Sequence, residues 1–597
     1  MKNFVLLPFA AAVFSGLLLA QAPKIGPVEA FPLDQVKPGM KATAWTVFEG
    51  AEPEAVPIEI IGLWKNAWGP KQDIILAKMF GKALRTGVAG GMSGSPVYID
   101  GKLVGAVSLR ISVFSPDAIC GITPIGLMLE INQFDSSKPN NAKSPQTVAS
   151  NKAIPVPESV MSGALMQPID TPLTFSGFHE ATLQHFGPTL QQMGLRPVMG
   201  GAAGANYEVT PAKDWKTSLQ PGQPIVGVLV SGDMNISGLG TVTYNDGKKV
   251  LGFGHPFFNM GPVDMPMAKG DILTVLSSSF QPNKVGNATE IVGALRQDRH
   301  SGIQGLLGEQ AATIPVKLKV RNLGPENTEK EFRFNVFVDQ KWTPFLMTMT
   351  LFNSISGLNE FADETTYRIS GKVELDGLPP LNLSSMATIS DAPIPPAVML
   401  ATWWGDKFNR LYANNLANPN LKGVEATVDL IPERRVATVE SAWMDKTEVD
   451  PGEDVEVKVF LQPYRGERLS RDLKIKLPGS LSKGEHRLVL VDADTLNRYP
   501  AIAGQANRFI ELPQAVNIIN NERNNNKLFA VITSMKSTVY VDDKSLTSLP
   551  GSVMNVMQSG RAATKPMFNT LESYVDAASL SFDYVISGNY SLRFNVR

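Results

Sequence analysis

The chain has 597 residues, 43% of them hydrophobic and 19% charged, with 55 Lys and Arg against 56 Asp and Glu for a formal net charge of -1. That length exceeds what one hydrophobic core organises, so several domains are expected, and the composition is that of an ordinary globular protein. A charge near zero without a polybasic run argues against nucleic acid or anionic lipid as a partner. The single cysteine, Cys120, excludes an intramolecular disulfide.

Lys2 and the apolar stretch FVLLPFAAAVFSGLLLA read as a secretory signal over 1–20. Cleavage after Ala20 is favoured, because a cut after Ala22 would leave Pro23 at the new terminus. An uncleaved anchor is the other reading, since the stretch is near the lower limit for spanning a bilayer. No later segment is long and apolar enough to span one, so the mature chain is expected in the periplasm or outside the cell.

Residues 21–135 hold the most specific motif, GGMSGSP at 90–96. It sets Ser93 between glycines and ahead of a proline and a hairpin, in the register of the chymotrypsin-type GDSGGP loop. A nucleophile turn must lift Oγ clear of the backbone while aiming N–H groups at the oxygen of the attacked carbonyl. Gly91 and Gly94 permit that backbone, and Ser93, not Ser95, is the nucleophile in this register. The backbone N–H groups of Gly91 and Ser93 are the oxyanion candidates. VYIDGKLVGAV follows, with Asp100-Gly101 as a tight turn. The unit closes with a short helical stretch, PIGLMLEINQF. Cys120 reads as a small buried hydrophobe rather than a rival nucleophile.

Residues 136–164, rich in Pro, Ser, Asn and Lys, form an exposed linker. A second unit over 165–320 opens with a helix, FHEATLQHFGPTLQQMG, and changes to short strands. VTYNDGKKVLGFGHPF repeats the V, Y, DGK, V, G phrase of the serine hairpin and ends in His255, between Gly254 and Pro256 where a strand gives way to a turn. SSSFQPNKVGNATEIVGALRQDRHSGIQGLLG reads as loops around the walls of a site. His179 and His185 are too far apart for an i, i+4 zinc pair, His300 and His486 are scattered, and neither HExxH nor a cysteine cluster is present, so no metal is expected.

TGVAGGMSGSPVYIDGKLVGAV with the following GITPI, and GLGTVTYNDGKKVLGFGHPF, resemble the two signature segments of the SpoIVB-type serine peptidases, over roughly residues 35 to 320. The resemblance implies two chymotrypsin-like β-barrels, Ser93 as nucleophile, His255 as general base, a protein or peptide substrate and no cofactor. The order departs from the family, in which the histidine segment comes first. A permuted pair of barrels or a site completed by a second copy would accommodate the swap, since a triad is defined by geometry. The family's acidic position aligns near Lys78 or Met79, where no carboxylate stands. Asp73, Asp264 and Asp271 are the nearest candidates for a third member; without one, a weakened Ser/His dyad or an inactive envelope protein acting as a binding module remains. With an unperturbed imidazole, activity would fall near pH 6.5.

Beyond 320 the pattern predicts an α+β accessory region over 321–440, with strands in VKLKVRN, EFRFNVFVD and YRISGKVELDG and a buried helix in WTPFLMTMTLFNSISGLNEF. In 441–597, Val455, Val457, Val459 and Leu461 alternate with Glu456 and Lys458, the period of a half-buried strand in an immunoglobulin-like sandwich able to fold alone. The expected fold class is therefore mainly β.

Overall fold

A computed structural model of the protein describes residues 22–111, 117–138, 166–193, 195–200, 209–278, 281–325, 327–357, 364–390, 394–506, 510–534, 536–547, 549–561 and 566–597. The signal segment 1–20 and most of the 136–164 linker lie outside them. The chain is mainly β, as its alternating segments predict.

Six antiparallel strands, β1 (Lys41–Thr46), β2 (Glu54–Gly69), β3 (Gln72–Met79), β4 (Ser95–Ile99), β5 (Lys102–Ile111) and β6 (Ala118–Pro124), pair in the order β4-β1-β2-β3-β6-β5, and a β4–β5 pairing closes the barrel. Its interior is filled by Val56, Ile58, Ile75, Ala77, Val97, Val107, Cys120 and Ile122. The β4–β5 turn is the expected tight one, with Asp100 at φ 48 and Gly101 at φ 78. The helical stretch after β6 runs over Ile125–Leu129 and continues as a 3-10 turn over Glu130–Gln133. A short strand, β7 (Met166–Pro168), adds to β5.

The second unit begins with β8 (Thr171–Ser176), the expected helix α1 (Glu180–Gln192) and β9 (Leu195–Met199). Strands β10 (Pro224–Gly232), β11 (Asn235–Asn245), β12 (Lys249–Gly252), β13 (Gly261–Leu276), β14 (Asn283–Arg299) and β15 (Gly302–Leu307) then pair as β10-β13-β14-β15-β12-β11, and β10–β11 closes a second ring of six. The segment expected as loops is therefore strand β14, a tight turn and β15. Both faces of β14 are covered over most of its length, so no alternation marks it as a strand. The turn between β11 and β12 differs from its counterpart: Asp246 accepts the N–H groups of Lys248 and Lys249, and Asn245 that of Gly247.

The sheet that contains the second ring does not end at residue 320. β16 (Thr313–Asn322) and β17 (Glu329–Phe337) extend it from β10, followed by β20 (Leu421–Ile431), β18 (Thr366–Leu375) and β19 (Leu381–Ala387), so strands on both sides of that position belong to one 13-stranded sheet. The buried helix expected between the accessory strands is α2 (Trp342–Ser356); its Thr348, Thr350 and Ser354 hydroxyls return to carbonyls one turn back, which satisfies them inside the core. A further helix, α3 (Pro396–Tyr412), packs on it, and Gly405 lets it approach Thr348.

The C-terminal region pairs a four-stranded with a five-stranded sheet around one core. On the strand Asp454–Pro463 the expected residues Val455, Val457, Val459 and Leu461 are buried, and Glu456 and Lys458 are exposed. Its partner spans Val436–Met444, with Ser441 opposite Phe460, so a fragment begun at Ser441 would lose half a strand. Glu522 pairs with Lys407 and Arg410 of α3, joining this region to the large sheet. Among the described residues no helix is long and apolar enough to cross a membrane.

Candidate active site

Ser93 sits where the chain turns into β4, and the turn needs the glycines around it. Gly91 has φ 84 and Gly94 φ 96, a region costly for any residue with a Cβ. Gly94 is also sterically obligatory: a Cβ there would stand 1.9 Å from the Thr241 carbonyl oxygen and 2.5 Å from the Phe253 nitrogen. The second ring thus crosses directly over the serine turn. Thr241 N–H donates to Ser93 O at 2.8 Å, the Thr241 hydroxyl to Gly91 O at 2.9 Å and the Thr243 hydroxyl to Gly94 O at 2.7 Å. The start of β14 holds the other side, with Gly90 N–H donating to Pro282 O and Lys284 N–H to Gly90 O. Among the described residues, the N–H groups of Gly91 and Ser93 donate to no acceptor.

His255 follows two residues of left-handed backbone, Phe253 at φ 68 and Gly254 at φ 68. Phe253 is fully buried against Gly240 and carries that strain because its ring fills the core of the second ring. Gly254 lies on the first barrel, where a Cβ would meet Ser108 at 2.9 Å and Ala106 at 3.1 Å, and its carbonyl accepts from the Thr123 hydroxyl at 2.7 Å. Since Gly94 N–H donates to Val107 O, the serine and histidine loops converge on residues 106–108 of β5 within a single chain. A second copy is not needed to bring them together.

His255 Nδ1 lies 2.8 Å from Pro256 O. A carbonyl oxygen only accepts, so Nδ1 carries the proton and Nε2 presents its lone pair, the tautomer a general base requires. Burial lowers the pKa of His255 to about 4, against the contrary effect of the Pro256 carbonyl, and nearby His300 lowers it further. The ring is therefore neutral at physiological pH. Ser93 is 0% and His255 2% exposed, and Ser93 Oγ and His255 Nε2 are both buried with no hydrogen-bond partner. The loops that carry the two groups converge on β5, the groups are not bonded to one another, and solvent does not reach them.

None of the proposed acids hydrogen-bonds the imidazole. Asp73 accepts Asn66 N–H at the tip of the β2–β3 hairpin, Asp264 pairs with Arg296 and accepts Ala312 N–H, and Asp271 lies opposite Asn287 in the β13–β14 ladder. Asp73 and Asp264 are thus engaged elsewhere, and the group that meets the imidazole Nδ1 is the Pro256 carbonyl. Lys78, near the position where the resemblance would put an acid, pairs with Asp117. Cys120 is buried, and burial pushes its thiol up to about 12, which makes it inert.

Sequence reasoning missed the carboxylate that organises the histidine loop. Asp298, near the end of β14, accepts the N–H groups of Phe257 at 2.8 Å, Phe258 at 2.7 Å and Met260 at 3.2 Å. Its burial raises its pKa to about 6, opposed by those backbone donors. His300, two residues on, packs its ring 5.2 Å from Trp68, and its turn reaches Gly254 through Gly302. The one cue in the sequence is the polar block RQDRHS at 296–301, set between the apolar IVGAL and the strand that follows. His179 caps α1, His185 stacks on Phe352 and His486 on Phe594; no cluster able to hold a metal occurs among the described residues. Comparison of the chain with family models, curated proteins and solved structures finds no match in any of the three.

Proposed function

We propose that this chain is an exported serine endopeptidase resembling the SpoIVB type, built on two chymotrypsin-like barrels and held in a closed state. One observation carries the reading: Ser93 Oγ and the unprotonated His255 Nε2, in loops of different six-stranded rings that converge on β5, are both buried and both without a hydrogen-bond partner. Buried polar groups are rarely left unpaired without a function. In the reaction, Ser93 Oγ attacks a peptide carbonyl carbon while its proton passes to His255 Nε2. The carbonyl oxygen, now an anion, takes the free N–H groups of Gly91 and Ser93, each worth on the order of 3 kcal/mol. Collapse expels the amine, which leaves with the proton from His255, and water then releases the acyl group by the same path. The Pro256 carbonyl fixes the imidazole tautomer but supplies no negative charge, so the dyad is weaker than a triad. A substrate reaches Ser93 only after the rings part.

The complete burial of Ser93 favours a second reading, a silent peptidase scaffold whose C-terminal sandwich binds or docks other envelope components. A fluorophosphonate probe separates the two without knowledge of the substrate. The peptidase reading predicts slow covalent labelling of the wild type and none of Ser93→Ala; a wild type that takes no label under any condition supports the silent scaffold.

A further inference from the structure

Beneath the serine turn lies an ionisable group that the proposed reaction leaves unused. Lys284, near the start of β14, is buried with its stem along Gly91, where a Cβ would meet Lys284 Cβ and Cδ at 3.3 Å each. Its amine reaches two hydroxyls from different rings, Thr46 of β1 at 2.8 Å and Thr241 of β11 at 3.5 Å. Thr46, Thr241, Leu239 and the turn itself are what β1, β11 and the serine loop present to it, and none of them is charged or titrates near neutrality. Burial alone lowers its pKa, to about 7.

Thr241 links the amine to the nucleophile. It receives the Lys284 N–H while its hydroxyl donates to Gly91 O and its backbone N–H to Ser93 O. A neutral amine has two N–H groups for the two hydroxyls it meets. An ammonium has three and no counter-ion, unless negative charge develops on the neighbouring turn. We infer that Lys284 is a positioning residue of the Ser93 site: through Thr241 it holds the Gly91–Ser93 turn, and when protonated it sets a cation beside the oxyanion that forms there. The second half of this inference rests on the peptidase reading; the first does not.

Two readouts on the full chain test it, with wild type, Lys284→Met and Lys284→Arg. The first is hydrogen exchange of residues 88–95, corrected for its intrinsic pH dependence. Wild type should show a step in protection centred near pH 7, and both variants none. The second is the rate of fluorophosphonate labelling between pH 6 and pH 8.5. Losing one oxyanion donor costs a hundredfold or more, so a charge acting one residue away is worth about tenfold. Wild type should slow by that factor across the range, Lys284→Met should be slow and flat, and Lys284→Arg fast and flat. A step near pH 7 that persists in Lys284→Met, or its absence from the wild type, overturns the inference. A lysine-dependent exchange step without labelling at any pH would sink the peptidase reading and leave the positioning role standing. Met matches the stem without the amine; should that variant not fold, the wild-type step and its removal in Lys284→Arg still decide.

Discussion

The serine loop is clamped by the ring that does not carry it and the histidine loop by a strand of its own ring, and the chemistry differs. Glycines at 91 and 94 let the backbone of β11 lie directly on the serine turn, which is gripped by threonine and main-chain hydrogen bonds. The histidine loop instead holds a phenylalanine in left-handed backbone and is pinned by one buried carboxylate from the far end of β14. The first solution is chiefly steric, the second electrostatic. Mutations should therefore act on the two loops in different ways.

The steric side gives the greatest expected loss. Gly94→Ala would drive a Cβ into the backbone of Thr241 and Phe253, at a cost of at least about 3 kcal/mol, because backbone cannot move aside as a flexible side chain does. Gly101→Ala shares the positive φ, but nothing lies within 4 Å, so only about 1 kcal/mol of backbone strain is expected. Denaturant unfolding of the two variants measures the contrast, and equal losses would break the steric account of the serine loop.

On the electrostatic side, Asp298→Ala leaves the N–H groups of Phe257, Phe258 and Met260 without their acceptor and should cost about 2–4 kcal/mol. The readout that separates position from stability is Ser93 labelling at a temperature where the variant remains folded. Loss of labelling there assigns Asp298 to placement of His255; unchanged labelling would confine it to stability.

The pH dependence follows from the burial of His255. Its folded pKa of about 4 lies below the 6.5 of the unfolded chain, so the unfolded state takes the proton first as pH falls. The stability present above pH 6.5 is lost progressively toward pH 4, by up to about 3 kcal/mol. Labelling should stay level from pH 6 to 5, below the Lys284 step, and fall only near pH 4, in place of the midpoint near 6.5 that an exposed histidine would give. Unfolding free energies against pH for wild type and His255→Gln check this: the non-titrating variant should lack that part of the acid slope.

The same contrast explains what could be read from the sequence. Glycines that must be glycine announce themselves, so the serine turn, the Asp100-Gly101 hairpin and the repeated phrase ending at His255 were all legible. So were the alternating Val455 to Leu461 strand and the helix of residues 342–356, whose periods are local. Asp298 and Lys284 were not, because β14 is covered on both faces and reads as no regular strand, and because what makes them matter lies in strands far away in the chain. The third acid is a related case: Asp73, Asp264 and Asp271 are near the motifs in sequence, but Asp73 holds its own hairpin tip, Asp264 pairs with Arg296 and accepts Ala312 N–H, and the imidazole Nδ1 meets a backbone carbonyl.

The central claim is that Ser93 and His255, brought together from two rings of one chain, form a working nucleophile and base. The most direct test is peptide mapping by mass spectrometry after exposure to a fluorophosphonate, on wild type and His255→Ala under the same folded conditions. The account predicts one adduct, on Ser93, in the wild type and at least a hundredfold slower formation in the variant, since general-base assistance contributes at least that much. An adduct on another residue, or one on Ser93 that forms as fast without His255, would contradict it.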